Sequence, residues 1–440
     1  MLAIQMIPKG GSLPEAIDNN AFFAALSTQI LNNPDRIMKV NDKQYDYATL
    51  VINGLLSAGM KNNAIYVDAI FGDDTTAEKN NLEKKYKTIL AAETSAIAGE
   101  TIVVFPGNYV EGFLGKNGLT YSFPFGANVQ CAWTGGNLNY TVTGFADFSS
   151  SFHSPVNAYL NSNINIQCKS ITGMRLGFPA VFASSGCKVN VQVFGDINHT
   201  LTDTVQSTDF NTELHVTANR ILSTGRACSV IAGGTTGHKQ FVYAKEIILS
   251  GAAACVNWSN GGYQELHVGK YTRSAGATVG NIILQQSFFP STPIVNIYGD
   301  IQDDSALTII DVNNNNGLLS YFGNIAGNGN ISVTGSSAFV KINGEVVISK
   351  DAGVISMSAG TVEVKGKLKN IMNTVNAHGI VISGGTPILN QAIIVTTNAF
   401  TNSLFAAALR NAIVYTSFAN KAKHANVTVL VGTLVVDANV

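Results

Sequence analysis

Charge is what this chain has least of. Acidic and basic side chains together make up 12% of 440 residues, 28 against 27, for a net charge of −1. Ordinary soluble domains carry about twice that share. Asn, Ser, Thr and Gly do the polar work instead, giving a solvated but electrostatically quiet surface. The basic footprint that nucleic acid requires is missing, and so is a polybasic membrane patch, so neither nucleic-acid binding nor membrane insertion is expected. Long apolar runs are missing too: nothing approaches the ~18 residues of a membrane span. The five cysteines, Cys131, Cys168, Cys187, Cys228 and Cys255, are odd in number and lack C-x-x-C spacing, which argues against a disulfide framework or a zinc site. Reduced, buried thiols suit folding in a cytoplasm. The opening MLAIQMIPKGG has no basic stretch and stops being apolar at Pro8. It does not read as a signal peptide, so export by secretion is not expected.

What is present is a repeated phrase: an apolar residue, a variable one, Gly, a variable one, then an aliphatic. It occurs at Val193–Ile197, Ile297–Ile301, Tyr321–Ile325, Ile342–Val346 and Val364–Leu368, with looser copies centred on Ala218, Ala244 and Gly269. Successive centres (195, 218, 244, 269, 299, 323, 344, 366) lie 21 to 30 residues apart. That period marks a solenoid, since no single copy can bury its apolar face alone. Alternation in Asn165–Gln167, Lys188–Val193 and Thr361–Lys365 reads as strands with Val and Ile inward. Cys168 falls at the small-residue position, where a thiol packs as a small hydrophobe. About ten rungs at ~4.8 Å each would make a rod about 50 Å long. The residue after the small one, Asp196, Asn219, Lys245, Lys270, Asp300, Asn324, Glu345 and Lys367, is always polar and is expected to face water. Lys270 should stand over Asp300 and Glu345 over Lys367, with one like-charged step at Lys245–Lys270 relieved by Glu246.

The ends differ from this pattern. Residues 1–64 suggest two short helices, Pro14 to Ile30 and Tyr47 to Ala58, forming an adaptor. Residues 65–130 open the stack: Tyr86, Ile89, Leu90 and Thr94 recur at helical spacing, with Lys84, Lys85 and Lys87 on the wet side. A helix laid over the first rung would cover its unpaired backbone edge. Residues 131–400 are the stack proper. In 401–440, the Ala-rich SLFAAALRNAIV suggests a helix and VTVLVGTLVV a strand that needs cover from the last rung or a second copy.

The opening carries a resemblance. Gly72-Asp73-Asp74, Tyr86-Lys87-Thr88-Ile89, Ala91-Ala92, Gly99-Glu100-Thr101-Ile102 and Pro106-Gly107-Asn108-Tyr109-Val110-Glu111 resemble the opening phrase of pectin-lyase-like right-handed parallel β-helix proteins, phage tail spikes and fibres among them. The match covers roughly 65 residues, specifying fold and leaving chemistry open. It implies a mainly β, right-handed parallel β-helix with a small helical N-terminal segment and a C-terminal cap. It further implies a homotrimeric virion protein, assembled in a host cytoplasm, attached to other virion proteins through residues 1–64 and meeting a host surface glycan. A spike depolymerase is the alternative, and an adhesin the third reading.

Candidate chemistry is sparse. The acids Asp203 with Asp209, Asp303 with Asp304, and Asp311 follow repeat strands, yet the two loops lie four rungs apart, about 19 Å, where glycosidase carboxyls need ~5 to 9.5 Å. Solvated turns explain them better. Arg175, Arg220, Arg226 and Arg273 flank no acidic cluster. His215 and His267 share an L-H-V context two rungs apart, too far for one metal. His199 and His238 complete the histidines of the rung region. GGTTGHK (233–239) lacks the phosphate-loop spacing. Phe123, Phe125, Trp133, Phe145, Phe148, Phe152 and Trp258 either pack over the first rungs or offer platforms for sugars. No catalytic, cofactor or metal residue is assigned, and no cofactor is expected.

Overall fold

The computed structural model describes residues 63–110, 115–130, 133–199, 201, 203–209, 211–225, 227–230, 237–251, 257–259, 261–273, 282–284, 292–372 and 378–382. It also describes strand segments at 37–40, 43–46, 386–390, 393–395, 398–400, 408–416 and 428–436. The chain is mainly β, 58% strand and 3% helix, wound as a parallel β-solenoid of about nine turns, consistent with the pectin-lyase-like fold. A typical turn is one long strand bent near its middle and one short strand. Lys188–His199 is followed by Val205–Ser207, Glu213–Ser223 by Cys228–Val230, and Ile294–Asp303 by Ile310–Val312. Long strands pair with long ones in one sheet and short with short in a second, 12-stranded sheet, all in parallel.

The aliphatic ends of the repeated phrase line this interior. Before the bend, Val191, Val216, Val242, Leu266, Ile297, Tyr321, Ile342 and Val364 stand in one register column. After it, Ile171, Ile197, Ile221, Ile247, Tyr271, Ile301, Ile325, Val346 and Leu368 form a second. All of them are buried, and each stabilises by about 1.5–3 kcal/mol relative to exposure. Cys168 packs in the same core, its thiol pushed up by burial. Cys187 is a second buried free thiol. The side chains of Cys131, Cys228 and Cys255 lie outside the described residues.

The register corrects the expected charge ladder. Lys270 faces Asp300 and Glu345 faces Lys367 as expected, the latter pair 3.1 Å apart. In the preceding turns, however, Asp196 stands against Arg220, Arg220 against Glu246, and Glu246 against Lys270. The long strand of Asp196 holds one more residue at its bend, between Val193 and Asp196, so Asn219 and Lys245 fall one place early. From Asp196 to Asp300 the column therefore alternates in sign, and neutral Asn324 separates Asp300 from Glu345, so no like-charged step remains. Arg220 meets Asp196 through Nε at 2.9 Å and Nη2 at 2.6 Å, bidentate and half exposed. Arg220→Glu should lower the melting temperature by a few degrees at low salt, with the difference largely gone near ~1 M, where screening reaches only ~3 Å. A loss independent of salt would show that the column is held by packing rather than charge.

The first turn is closed more thoroughly than by a helix alone. The strand Ala64–Val67 pairs with Thr101–Val104 on one side. Its other edge is occupied: Asn80 N–H donates to Ala64 O, Tyr86 N–H to Tyr66 O, and Asp68 N–H to Tyr86 O. That leaves no row of unpaired groups to template aggregation. The helix, α1, is short, Ile89–Ser95, with Thr88 Oγ1 accepting from Ala91 N–H at its start. It buries Ile89, Ala92 and Glu93 and exposes Leu90 and Thr94, so the apolar face differs from the one expected. Lys116 Nζ donates to the carbonyls of Glu93 and Ala96, a cation at the negative end of the helix. Lys85, expected on the wet side, is buried against Asp68 at 2.6 Å with its ammonium over the Phe105 ring. It lies in an extended connection before the helix, so helical spacing did not apply to it.

At the C-terminus, Ala408–Thr416 is a strand, not a helix. It stacks in parallel on Thr386–Asn390 and Ile393–Val395, and its Ile413-Val414-Tyr415 stretch fits a sheet, so tertiary pairing overrides the alanines' helix preference. Thr428–Val436 is the expected strand and takes its cover from this last turn. The two helices expected within 1–64 lie outside the described residues; Ile37–Val40 and Lys43–Asp46, described within that stretch, pair as antiparallel strands.

Candidate functional site

The acidic candidates are not brought together. Asp303 and Asp304 do point to opposite faces: Asp303 is fully buried, while Asp304 is exposed and accepts from Gln302 Nε2 at 2.6 Å. Asp303 lies 3.4 Å from Nη1 of Arg273, itself fully buried. An arginine does flank this acid after all, one turn away where linear spacing hid it. Asp209 accepts from Ser185 and Thr208 hydroxyls, and Asp203 is buried. Asp311 stands in the short-strand sheet between Ile283 and Ser332, its carboxyl raised by burial against a hydrogen bond from Ser332. Among the described residues no three His, Cys, Asp or Glu side chains converge as metal ligands, and no helix is long and apolar enough to cross a membrane.

Two histidines are structural. His199 and His238 are fully buried, with Nε2 against Phe178 O at 2.8 Å and Gly261 O at 3.0 Å. Burial pushes both imidazoles down, His238 from 6.5 to about 4. Between those values the unfolded chain binds a proton that folded His238 refuses. Stability therefore falls as pH falls from 6.5 to about 4 and levels off below, by about 3 kcal/mol for this group. His238→Gln keeps a donor for Gly261 and should flatten that part of the fall in a pH series of urea unfolding curves. An unchanged slope would assign the acid sensitivity elsewhere.

The aromatics divide as follows. Phe123, Phe125, Phe145 and Phe148 are packed in the first turns, whereas Phe152 is exposed. The side chains of Trp133 and Trp258, like residues 231–236 of the glycine-rich loop, lie outside the described ones. The aromatics stacked on the outer face are others, half-buried apart from the exposed Tyr243. On the outer face of the long strands, before the bend, Thr217, Tyr243, His267, Tyr298, Phe322, Asn343 and Lys365 form one column. Beside it runs a second, Asn190, His215, Phe241, Glu265 and Asn296. Tyr243–His267, His267–Tyr298 and Tyr298–Phe322 stack at 4.6, 4.4 and 4.7 Å, and His215 stacks on Phe241 at 4.4 Å. These spacings match the rung spacing, so ring planes lie across the axis and ring edges meet solvent.

His215 and His267 thus occupy adjacent columns, two residues out of register, and are not equivalent. An even slip keeps both facing outward, which is why the L-H-V context repeats. Each imidazole is paired with a carboxylate, His215 Nε2 with Glu213 at 2.7 Å and His267 Nε2 with Glu265 at 2.8 Å. The Tyr263 hydroxyl donates to Glu265 at 2.7 Å, and that bond, then His267, holds this carboxyl below its usual range. Glu213 is lowered by His215. Both acids are thereby kept as anions, unsuited to donating a proton.

The column ends in a shallow groove lined by Phe322, Asn343, Gly344, Lys365 and Gly366. Its signal in the sequence was the residue before each small position: Tyr298 and Phe322 occupy it, and the next turns place Asn343 and Lys365 there. Against known protein families, curated proteins and solved structures, the chain has no match.

Proposed function

We propose that this chain is a structural protein of a bacteriophage virion, a non-enzymatic fibre or spike whose solenoid meets a host surface glycan. In this reading it is a homotrimer, joined to other virion proteins through residues 1–64. The observation that carries it is the use to which the acids are put. Asp303 is buried with Arg273, Asp196 is held by Arg220, and Glu213 and Glu265 are kept ionised by hydrogen-bonding neighbours. No two of the candidate carboxyls share a turn-to-turn contact across which a glycosidic bond would lie. What the exterior offers instead is ordered, sparsely charged surface, suited to holding a ligand.

The depolymerase reading keeps one supporting group, Asp311, whose raised carboxyl is what a general acid needs. Its register neighbours are Ile283 and Ser332, so neither adjoining turn places a carboxyl beside it in its column. Purified protein incubated with capsular polysaccharide should leave its chain length unchanged on a sizing column; shortening would overturn the non-enzymatic reading. Light scattering should give three times the chain mass, and a monomer mass would overturn the trimer.

A further inference from the structure

We infer that the side chains of Lys85 and Asp68 condense into an isopeptide bond, which ties the connection covering the first turn to that turn's strand. The bond would form whether or not the chain belongs to a virion.

The two groups are held in contact and kept dry. Lys85 Nζ lies 2.6 Å from Asp68 Oδ2, and the side chains are only 6% and 4% exposed. Lys79, Lys84, Lys169 and Lys367 also pair with carboxylates, but their side chains are 30 to 49% exposed. Around Lys85 the walls are aromatic, with the Phe105 ring 4.6 Å and the Phe71 ring 5.9 Å from Nζ. Both backbones are pinned: Asp68 N–H donates to Tyr86 O, Gly72 N–H to Asp68 O, and Asp73 N–H to Lys85 O. A fixed contact with water excluded replaces a chance encounter between amine and acid.

The second carboxyl oxygen is provided for as well. Asp68 Oδ1 accepts from the N–H groups of Ile70 at 3.0 Å and Phe71 at 3.1 Å. Two backbone donors on one carboxyl oxygen are what a tetrahedral intermediate needs when negative charge gathers there. The step balances within the pair. One proton passes from Nζ to Oδ2, leaving a neutral amine beside a neutral acid. The amine lone pair attacks Cγ, charge gathers on Oδ1, and a second proton passes from Nζ to Oδ2. The Cγ–Oδ2 bond breaks, Oδ2 leaves as water, and the new amide keeps the third proton on Nζ. Nothing is oxidised or reduced, and no further reactant enters. Two charges that are costly to bury give way to one neutral amide. The place suits a tie, because the residues between Asp68 and Tyr86 occupy the outer edge of the Ala64–Val67 strand, and a stack coupled turn to turn opens from its ends.

The test is the intact mass of the purified full chain. It should fall one water short of the sequence mass, whereas Lys85→Arg, which keeps the charge but cannot form the bond, should show its full mass. Trypsin should release Asn62–Lys79 joined to Lys85–Lys87, the cut after Lys85 being lost. Full mass in the wild type, two separate peptides, or the missing water traced to another residue would overturn the inference. Wild-type mass and peptides decide this even where Lys85→Arg does not fold. In moderate urea the amides of Ala64–Val67 should exchange roughly a hundredfold more slowly in the wild type than in Lys85→Arg, the loop-closure effect of a cross-link over such a span. Equal exchange would overturn the tying role.

Discussion

Gly344→Ala is expected to lower the unfolding free energy by about 3–5 kcal/mol, and Gly344→Val to leave no soluble folded protein. Gly299, Gly323, Gly344 and Gly366 follow one another at the bend of successive turns with φ from +133° to +154°, a conformation that L side chains rarely adopt. Space is tighter than conformation. A Cβ on Gly344 would lie 1.8 Å from the Gly323 carbonyl oxygen, and one on Gly366 2.0 Å from that of Gly344. The obstacle is backbone already fixed in the sheet, so it cannot swing aside. The buried Tyr321 hydroxyl stiffens the corner further by donating to Gly299 O at 2.6 Å. Gly177 separates the two effects: its φ is +83°, but a Cβ there meets nothing within 4 Å. Gly177→Ala should cost only the ~1–2 kcal/mol of a left-handed backbone. Because a solenoid is coupled turn to turn, damage at 344 should appear first as faster amide exchange in the turns on either side. If the two alanine variants lose equal stability, the glycine column is not the close contact described.

Those glycines are also the part of the fold most legible beforehand. A small residue at a fixed interval, flanked by aliphatics, has one economical explanation, a stack whose bends touch, and both interior columns follow from it. Register was not legible, because it depends on how many residues each turn spends at its bend. One extra residue between Val193 and Asp196 moves Arg220 and Glu246 into the charge column in place of Asn219 and Lys245. His215 and His267 differ without any such shift: their strands pair in continuous register, and the L-H-V context itself recurs two residues further along the strand. Lys85 was misplaced for another reason: its partners Asp68 and Phe105 come from other parts of the first turn, and local spacing carries no trace of them. The alanines before Ile413 were read by propensity, which parallel pairing overrode.

The candidate site was hidden by the same logic. Phe322, Asn343 and Lys365 come from three turns, and each alone is an ordinary outward strand residue. Only stacking makes a groove of them. The acids drew attention because they cluster in sequence, yet in a solenoid adjacency along the chain means opposite faces, as Asp303 and Asp304 show. Chemistry in this architecture is read down the columns.

Arg273→Leu is expected to destabilise the chain by about 3–5 kcal/mol, and Asp303→Asn by a comparable amount, while the double substitution should recover most of the loss. The two side chains are fully buried, 3.4 Å apart, in an inward column that also holds His199, Ser223, Leu249, Gly327 and Ile348. Removing either charge strands the other in a low-dielectric interior. Removing both leaves a position that Leu249, one turn earlier, already fills with an aliphatic. Asparagine is chosen over leucine at 303 because Asp303 Oδ1 accepts from Ser305 N–H at 2.9 Å, and that acceptor should be kept. The pair's placement has a second consequence. It joins the turns across which the register shifts, between His267 and Lys270. Aliphatics there would tolerate a slip of two residues without exposing themselves, whereas an ion pair tolerates none. The double variant should therefore unfold over a broader urea range than wild type even where its midpoint is restored. If the single losses simply add in the double variant, the two groups do not interact, and the register at this shift is set by the glycine column alone.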